Sequence, residues 1–468
     1  MLFLNEQKTE GEGTLTFDEY FNSLRGKRIA VVGTGVSNMP LIRLLVDHGC
    51  GVTACDMRTR GGLGDTALEL EGMGVDLRLG EDYLEDMHFD VVFRTPGLHP
   101  RSLEGARKNG AVITSEMEAF FALCPCKTIA VTGSDGKTTT TTLISELLKK
   151  QGFTVHLGGN IGKPLLAGVP EMREDDIAVL ELSSFQLHGM DCRPDRAVVT
   201  NVSPNHLDVH PSYDDYIFAK KSIFSRQGGE CLLVLNRDNE ITRSFAGEAK
   251  ARVMWFSRRE EVERGYSCTD GVIRRGGEKV MDAEEIRLPG VHNVENMMAA
   301  FAAVDGLVSG ENCREVARSF AGVAHRLELV RTLRGVRYYN DSIASSPTRT
   351  TAGLRSFREK PILIAGGHDK NIPFDGLARE IVERVKALFV TGETAGKIYD
   401  AVMQAEREAG GGPPAYVVDG FREAVLAASD YAGEGDVVLL SPACSSFDRF
   451  KNFVERGNTF RKIVEGLE

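Results

Sequence analysis

The sequence predicts an α/β protein of three domains, and three observations carry that prediction. Short apolar runs alternate with helix-like segments along the whole chain. Nearly every run ends in glycine or a polar residue, and one opens directly into a Gly-Lys-Thr loop followed by a helical pattern. Strands alternating with helices build parallel sheets covered on both faces. At 468 residues the chain is also too long for one hydrophobic core.

The first run is "RIAVVG" (28–33), which leads into "GTGVSN" (33–38) and, after "GVTAC", to Asp56. A G-x-G turn after a strand, with an acidic residue about twenty positions on, is half of a dinucleotide fingerprint. Asn38 replaces the third glycine, so this pattern alone leaves an NAD-dependent dehydrogenase open. This nucleation gives a Rossmann-like first domain, residues 1–115, with a polar extension before Lys27. "TIAVTG" (128–133), "IAVLEL" (177–182), "RAVVTNV" (196–202) and "CLLVLN" (231–236) belong to a central domain, 116–322, whose 240–290 section is charge-rich. "AHRLELV" (324–330) opens a C-terminal domain, 323–468, with "PILIAGG" (361–367), "ALFVTG" (387–392) and "DVVLLSP" (436–442) as its strands. All read as buried strands of parallel sheets, so ligands are expected beyond their carboxyl ends.

Composition narrows the class. The 56 Lys and Arg against 67 Asp and Glu leave a net charge of −11, which argues against general nucleic-acid binding. No window approaches 18 uninterrupted apolar residues, so no membrane insertion is expected. The N-terminus has neither a basic region nor a sustained apolar core, so it does not read as a signal peptide. Nine scattered cysteines, the closest pair being C-x-C at 124–126, suggest reduced thiols and a cytoplasmic protein.

"IAVTGSDGKTTTTTL" (129–143) resembles a shortened phosphate loop, with only Ser134 and Asp135 between Gly133 and Gly136. The glycines let the backbone approach phosphate oxygens. The helix that follows, with Leu143, Ile144, Leu147 and Leu148 on its buried face, offers N–H groups to an anion. Lys137 would reach the β- and γ-phosphates and the Thr138 hydroxyl a Mg²⁺ shell. Glu181, at a strand end, is a candidate Mg²⁺ ligand because that ion needs few protein oxygens. His206 and Asp208 follow another strand. His206 on its own reads as a structural or hydrogen-bonding residue, imidazole being the softer ligand. Lys370, after Gly-Gly at a strand end, is either a solvated lysine or an anion binder. Ser441, Ser445 and Ser446 either cap the next helix or touch substrate. No Ser-His-Asp or Cys-His arrangement is evident.

Together these motifs resemble the Mur ligases, ATP-dependent amide-forming enzymes of peptidoglycan assembly. The family's short loop matches Thr132–Thr139, "TGSDGKTT". The resemblance spans the chain through "GGNIGKPL" (158–165), "ELSSFQL" (181–187), "NVSPNHLD" (201–208), "GVHNVENMMAA" (290–300), "AHRLE" (324–328), "YNDS" (339–342), "GGHDK" (366–370) and "SPACSSFDRFKNFVERG" (441–457). The last two most resemble the D-glutamate-adding branch, and the D-N-P-R motif typical of the diaminopimelate- or lysine-adding branch is absent from the sequence.

The resemblance implies a UDP-sugar-binding first domain, a central ATPase domain and a C-terminal amino-acid-binding domain. It implies ATP, a pair of Mg²⁺ ions, UDP-N-acetylmuramoyl-L-alanine and D-glutamate as ligands of a cytoplasmic, monomeric ligase that works through an acyl phosphate. Gly35, Val36, Ser37, Arg58, Thr95, Pro96, Gly97, Asn160 and Ser183 fall at or near positions that meet the UDP substrate. Gly133, Ser134, Asp135, Gly136, Lys137, Thr138, Thr139, Asn296, Arg326 and Asp341 match ATP-site positions. Thr138, Glu181, His206 and Lys220 match metal-linked positions, Lys220 as a CO₂-derived carbamate. Lys-Lys on an amphipathic helix is otherwise a solvated face, and Lys221 is the neighbouring ambiguity. Lys137, His206, Lys220 and Lys370 are the implied catalytic set; Ser345, Lys370, Ser446, Phe447 and Phe453 are the implied amino-acid contacts. One departure stands out: Ile343-Ala344-Ser345-Ser346 replaces the Lys-Ala-Thr-Asn common after "YNDS", removing a cation that Lys370 or Arg349 could offset. The alternatives are another Mur-type ligase with a different amino acid and a folate-extending ligase, the latter disfavoured by the SPAC-type ending.

Overall fold

Aliphatic runs too short for a helix and apolar on both faces are stable only as strands sandwiched between helices. Each of the runs read above as a buried strand contains one. The computed structural model describes residues 15–35, 37–204, 210–288, 290–369 and 372–468. Val36, His206, Asp208 and Lys370 lie outside the described residues.

The first sheet consists of β1 (Ile29–Val32), β2 (Val52–Asp56), β3 (Asp76–Leu79), β4 (Val91–Arg94) and β5 (Val112–Thr114). Its order is β3-β2-β1-β4-β5, all parallel. The direction of winding reverses between β1 and β4, and in such sheets that switch point is where ligands are held. Gly33 and Thr95, which follow those two strands, approach so closely that a Cβ on Gly33 would lie 2.9 Å from the Thr95 Cβ.

The central sheet contains β6 (Lys127–Thr132), β7 (Val155–Gly159), β8 (Ile177–Glu181), β9 (Arg196–Val199), β10 (Leu232–Asn236), β11 (Arg252–Ser257), β12 (Gly265–Thr269), β13 (Val272–Arg275) and β14 (Glu278–Asp282). Its order is β14-β13-β12-β11-β10-β9-β6-β8-β7. The parallel expectation fails at one edge, where β12, β13 and β14 pair antiparallel. The cause is local. Asp270-Gly271 and Gly276-Gly277 take positive φ at both positions (53° and 73°, then 54° and 89°). That geometry makes two-residue hairpin turns of the primed type.

The third sheet contains β15 (Glu328–Leu333), β16 (Val336–Asn340), β17 (Ile362–Ala365), β18 (Ala387–Val390), β19 (Ala415–Val417) and β20 (Val437–Leu440), in the order β15-β16-β20-β17-β18-β19. It is parallel except for β15, folded back on β16 through a third such turn at Arg334-Gly335.

The first two sheets fall in one compact unit ending at Phe320, and the third forms a second unit beginning at Ala321. One hydrophobic cluster explains why the first two sheets do not separate. It runs from Val31 and Phe93 through Met117 and Phe120 to Leu180 and Val199, with the helix Glu116–Leu123 as the bridge. Among the described residues no helix is long and apolar enough to cross a membrane.

Candidate active site

The phosphate loop joins β6 to the helix Lys137–Gln151, whose Leu143, Ile144, Leu147 and Leu148 are all fully buried. No acidic residue sits in its first turn, so the positive end of the helix dipole faces the loop uncompensated. Gly136 has φ +78°, and a Cβ there would come within 2.2 Å of Asn296 Oδ1. At Gly133 a Cβ would lie 1.9 Å from the Thr200 hydroxyl. The glycines are therefore required by what packs over the loop as well as by phosphate access.

The loop is held by the segment after β9. Ser134 N donates to Asn201 O (2.9 Å), Asp135 N to Asn201 Oδ1 (2.9 Å), and Thr200 Oγ1 to Asp135 O (2.6 Å). The Ser134 hydroxyl meets the Tyr216 hydroxyl at 2.9 Å. Lys137 Nζ folds back to donate to Gly133 O (2.9 Å) and Ser134 O (2.8 Å). Thr138 is buried and Asp135 exposed. Asn296, on the helix Val291–Ala303, is buried against the same loop, its Nδ2 donating to Asn293 Oδ1 (3.1 Å).

The two adjacent lysines have opposite surroundings. Lys220, 1% exposed, donates to Gly133 O at 2.8 Å and stands 4.5 Å over the Tyr216 ring. Burial, then the nearby Lys137 ammonium, pushes its amine well below the ordinary lysine value, with Asp135 opposing. Lys221 pairs with Glu248 on the outside of the same helix, Tyr213–Lys221.

Glu181 ends β8 and is 1% exposed. Its Oε1 accepts from Asn160 Nδ2 at 2.7 Å, whereas its Oε2 is buried with no hydrogen-bond partner. A buried carboxylate oxygen left unpaired is costly. A hard divalent cation bound through Oε2 would remove that cost, so the donor set fits Mg²⁺.

In the first sheet Arg58 grips Asp56 with two bonds to Oδ1 and Oδ2 (3.0 and 2.8 Å), while Thr34 donates to Oδ2 from both N and Oγ1. Burial raises the Asp56 pKa, but these donors outweigh it and hold the carboxyl well below the usual range. With both oxygens engaged, Asp56 is not arranged as the ribose-binding acid of a dinucleotide fold. Asn38 is buried and donates to Val32 O and Gly33 O (3.0 and 2.9 Å), which explains its place at the third glycine position. Ser37, Pro96, Gly159 and Gln186 line one cavity between β1, β4 and the central sheet. Gly97 is exposed beside it. The Ser183 hydroxyl caps the short helix Ser184–Leu187 by accepting from Gln186 N.

In the second unit the carboxyl ends of β16, β17 and β20 bring the expected loops together. Asp341 N donates to Leu440 O (2.7 Å), Ala443 N to Ala344 O (2.9 Å), His368 N to Ser445 O (2.9 Å) and Ile343 N to His325 O (3.1 Å). Arg326 lies between His325 and Leu327, both at positive φ (63° and 43°). Asp341 is buried, accepts from Ser441 Oγ (2.8 Å) and Leu327 N (3.2 Å), and is pushed up by burial to about 7. Ser345 is half-buried and Ser446 buried. Phe447 is 66% exposed, its ring 6.4 Å from His368. Phe453 sets its ring edge-on to His325 at 6.1 Å. The serines do not cap the next helix: Asn452 does, accepting from Glu455 N.

Sequence reasoning passed over Arg456. It is 2% exposed and donates to Ser342 O, Ser342 Oγ, Cys444 O and Ser445 O, pinning two loops at once. Its only signal was its place within the quoted C-terminal motif. Tyr216, which touches both Ser134 and Lys220, carries no motif signal of its own.

A phosphate loop flanked by a buried lysine and a half-satisfied buried carboxylate, on a sheet preceded by a parallel sheet and followed by a largely parallel one, defines a nucleotide-dependent α/β protein. Residues 131–304 match the Mur ligase middle domain and residues 325–444 the Mur ligase glutamate ligase domain; the chain belongs to the Mur ligase family. A Clostridium novyi (strain NT) protein named UDP-N-acetylmuramoylalanine–D-glutamate ligase is 52% identical over 97% of this chain and 99% of its own. An Acetivibrio thermocellus protein of the same name is 51% identical over 96% and 99%. Among solved structures, the UDP-N-acetylmuramate-alanine ligase of Thermotoga maritima aligns over 94% of this chain and 99% of its own, with TM-score 0.53 and 18% identity, a likeness of fold.

Proposed function

We propose that this chain is the ATP-dependent ligase that adds D-glutamate to UDP-N-acetylmuramoyl-L-alanine, releasing ADP and phosphate. The observation that carries the reading is the 52% identity, over nearly the whole of both chains, to a relative of that name. ATP and Mg²⁺ use is general to Mur ligases. In this reading residues 1–115 hold the UDP sugar through Gly35, Val36, Ser37, Arg58, Thr95, Pro96 and Gly97, aided by Asn160 and Ser183. Residues 116–322 hold ATP through the 133–139 loop and Asn296. Residues 323–468 carry Arg326 and Asp341 as nucleotide-binding positions, and Ser345, Lys370, Ser446, Phe447 and Phe453 as amino-acid-binding positions.

A carboxylate is a poor electrophile, so it must first be activated. The substrate's terminal carboxylate attacks the γ-phosphorus of ATP, ADP leaves, and an acyl phosphate forms. The amine of D-glutamate then attacks the acyl carbon, loses a proton, and inorganic phosphate leaves with the original carboxylate oxygen. Lys137 and the helix N-terminus stabilise charge on the transferring phosphoryl group. Bound Mg²⁺, held by Glu181 with Thr138 and His206, would neutralise charge on the phosphate oxygens.

Lys220 serves this site best as a carbamate. Its depressed basicity favours the neutral amine, which adds CO₂ to give N–COO⁻ and releases a proton. The carbamate keeps one N–H for Gly133 O and places a negative charge where Lys220 and Lys137 otherwise crowd two cations. Arg349 Nη1 donates to Ile343 O at 3.3 Å, which supports retained D-glutamate use by keeping a cation beside the segment that lacks the usual lysine.

Substrate labelled with ¹⁸O in the L-alanyl carboxylate tests the route. One label per turnover should appear in inorganic phosphate. Phosphate free of label, with amide still formed, would rule out the acyl phosphate.

A further inference from the structure

Away from the phosphate loop, three imidazoles converge on one carboxylate. His188 Nε2 contacts Asp215 Oδ1 at 2.9 Å, His210 Nδ1 contacts Oδ2 at 2.8 Å, and His99 Nε2 lies 3.7 Å from Oδ2. The side chains of His99, His188 and Asp215 are 17%, 12% and 13% exposed. His99 Nε2 and His188 Nδ1 are buried without hydrogen-bond partners. One donor atom from each of His99, His188 and Asp215 falls within 4.8 Å of the others. None of these residues has a part in the ligase chemistry above.

They come from three elements. His99 opens the turn Pro100–Leu103 after β4, His188 ends the short helix after β8, and Asp215 lies in the first turn of the helix that carries Lys220. Arg94 Nη2 already fixes the His188 carbonyl at 2.6 Å, so the first sheet and the central sheet meet here in a set geometry.

We propose that His99, His188 and Asp215 form a second divalent cation site, separate from the Glu181 position and selective for a zinc-class ion. Two imidazoles and one carboxylate suit borderline-soft Zn²⁺ and disfavour Mg²⁺, which prefers oxygen. Ligand atoms on one tetrahedral Zn²⁺ stand roughly 3.3–3.5 Å apart at bond lengths near 2.0–2.1 Å. The contacts are 2.9 Å from His188 to Oδ1 and 3.7 Å from His99 to Oδ2, and the three donor atoms lie within 4.8 Å of one another, so ion binding draws the farther donor inward onto one oxygen. Ligation through Nε2 shifts each ring proton to Nδ1 with no net proton change, and at His188, whose buried Nδ1 has no protein partner, that N–H calls for a bound water. His99 then exchanges one long bond, from Arg101 N at 3.2 Å, for the metal bond. His210, which also meets Ser184 Oγ at 3.0 Å, orients the carboxylate as second-layer partners of metal ligands do. Three protein ligands leave a fourth position for water. The bound ion clamps the first sheet's loop to the helix of Lys220.

The test uses tag-free full-length protein carrying Cys124→Ser, stripped of metal and titrated with Zn²⁺ in excess Mg²⁺ against a chromophoric chelator. One Zn²⁺ per chain is expected. His99→Ala and His188→Gln should each weaken binding about tenfold or more, while Glu181→Gln leaves it unchanged. Zn²⁺ should raise the Tm of the parent and not of His188→Gln. Absence of stoichiometric binding, affinity unchanged in both histidine variants, or loss in Glu181→Gln alone would overturn the proposal. Should a variant misfold, Co²⁺ in the parent decides: tetrahedral nitrogen–oxygen absorption bands support the site, and their absence contradicts it.

Discussion

Lys220 and Lys221 differ by one position and by almost everything else. A pair of lysines on a helix gives no hint from sequence that one is solvated and the other sealed beneath a phosphate loop. The distinction comes from tertiary packing, in which Tyr216, one turn earlier, lies under Lys220 and bonds Ser134. Lys220→Ala should lower turnover by about 100-fold or more, removing the carbamate anion that would support bound Mg²⁺ beside the phosphates. A small carboxylate such as formate should restore part of the loss, and Lys221→Ala should stay near parental activity. Unimpaired turnover in unrescued Lys220→Ala would exclude an essential carbamate. Gly136 was more legible, since the Gly-Lys-Thr spacing alone marks a backbone that must approach phosphate. Asn296 as its close neighbour, 160 residues further along the chain, leaves no trace in that spacing. Gly136→Ala combines left-handed strain of about 1–2 kcal/mol with a clash against Asn296, so ATP affinity should fall at least about tenfold by calorimetry. Parental affinity would remove the loop from its assigned role.

At the scale of elements, the buried parallel strands were readable because each is an aliphatic run closed by glycine or a polar residue. The edge strands were not. β13 reads "VIRR" and β14 "EKVMD", runs too charged to announce burial. Yet Asp270-Gly271 and Gly276-Gly277 carried the turn signal within the 240–290 section that composition had marked only as charge-rich. The helix Glu116–Leu123 makes a quantitative prediction. Its first residue is buried, accepts from Leu166 N at 3.1 Å, and is pushed up by burial from 4.5 to about 7. The folded state therefore holds a proton that the unfolded chain releases, and stability falls as pH rises from about 4.5 to 7. Glu116→Gln keeps an acceptor and removes the charge. Its Tm relative to the parent should rise between pH 5 and pH 8, by the equivalent of roughly 2–3 kcal/mol. A difference independent of pH would mean that Glu116 is not held protonated.

Across the whole molecule, three sheets each present their strand ends as loop clusters, and the sequence placed most expected site residues on those loops. Two features were beyond its reach. The first two sheets share one core and form a single unit, because the helix between them buries Met117 and Phe120 in both. Arg456 holds the Ser342 and Cys444–Ser445 loops together from a helix that enters the sheet region last. Contacts between distant segments of this kind leave no periodic trace. The segment Ile343–Ser346 is where the account is most exposed, since a cation usual in this family is replaced there. The decisive measurement is ADP and phosphate release with UDP-N-acetylmuramoyl-L-alanine, Mg²⁺ and, in turn, D-glutamate, L-glutamate, D-aspartate, L-lysine and diaminopimelate. The account predicts release with D-glutamate alone, accompanied by an equal amount of amide product. Release with another member of the panel, or none with D-glutamate, would contradict it.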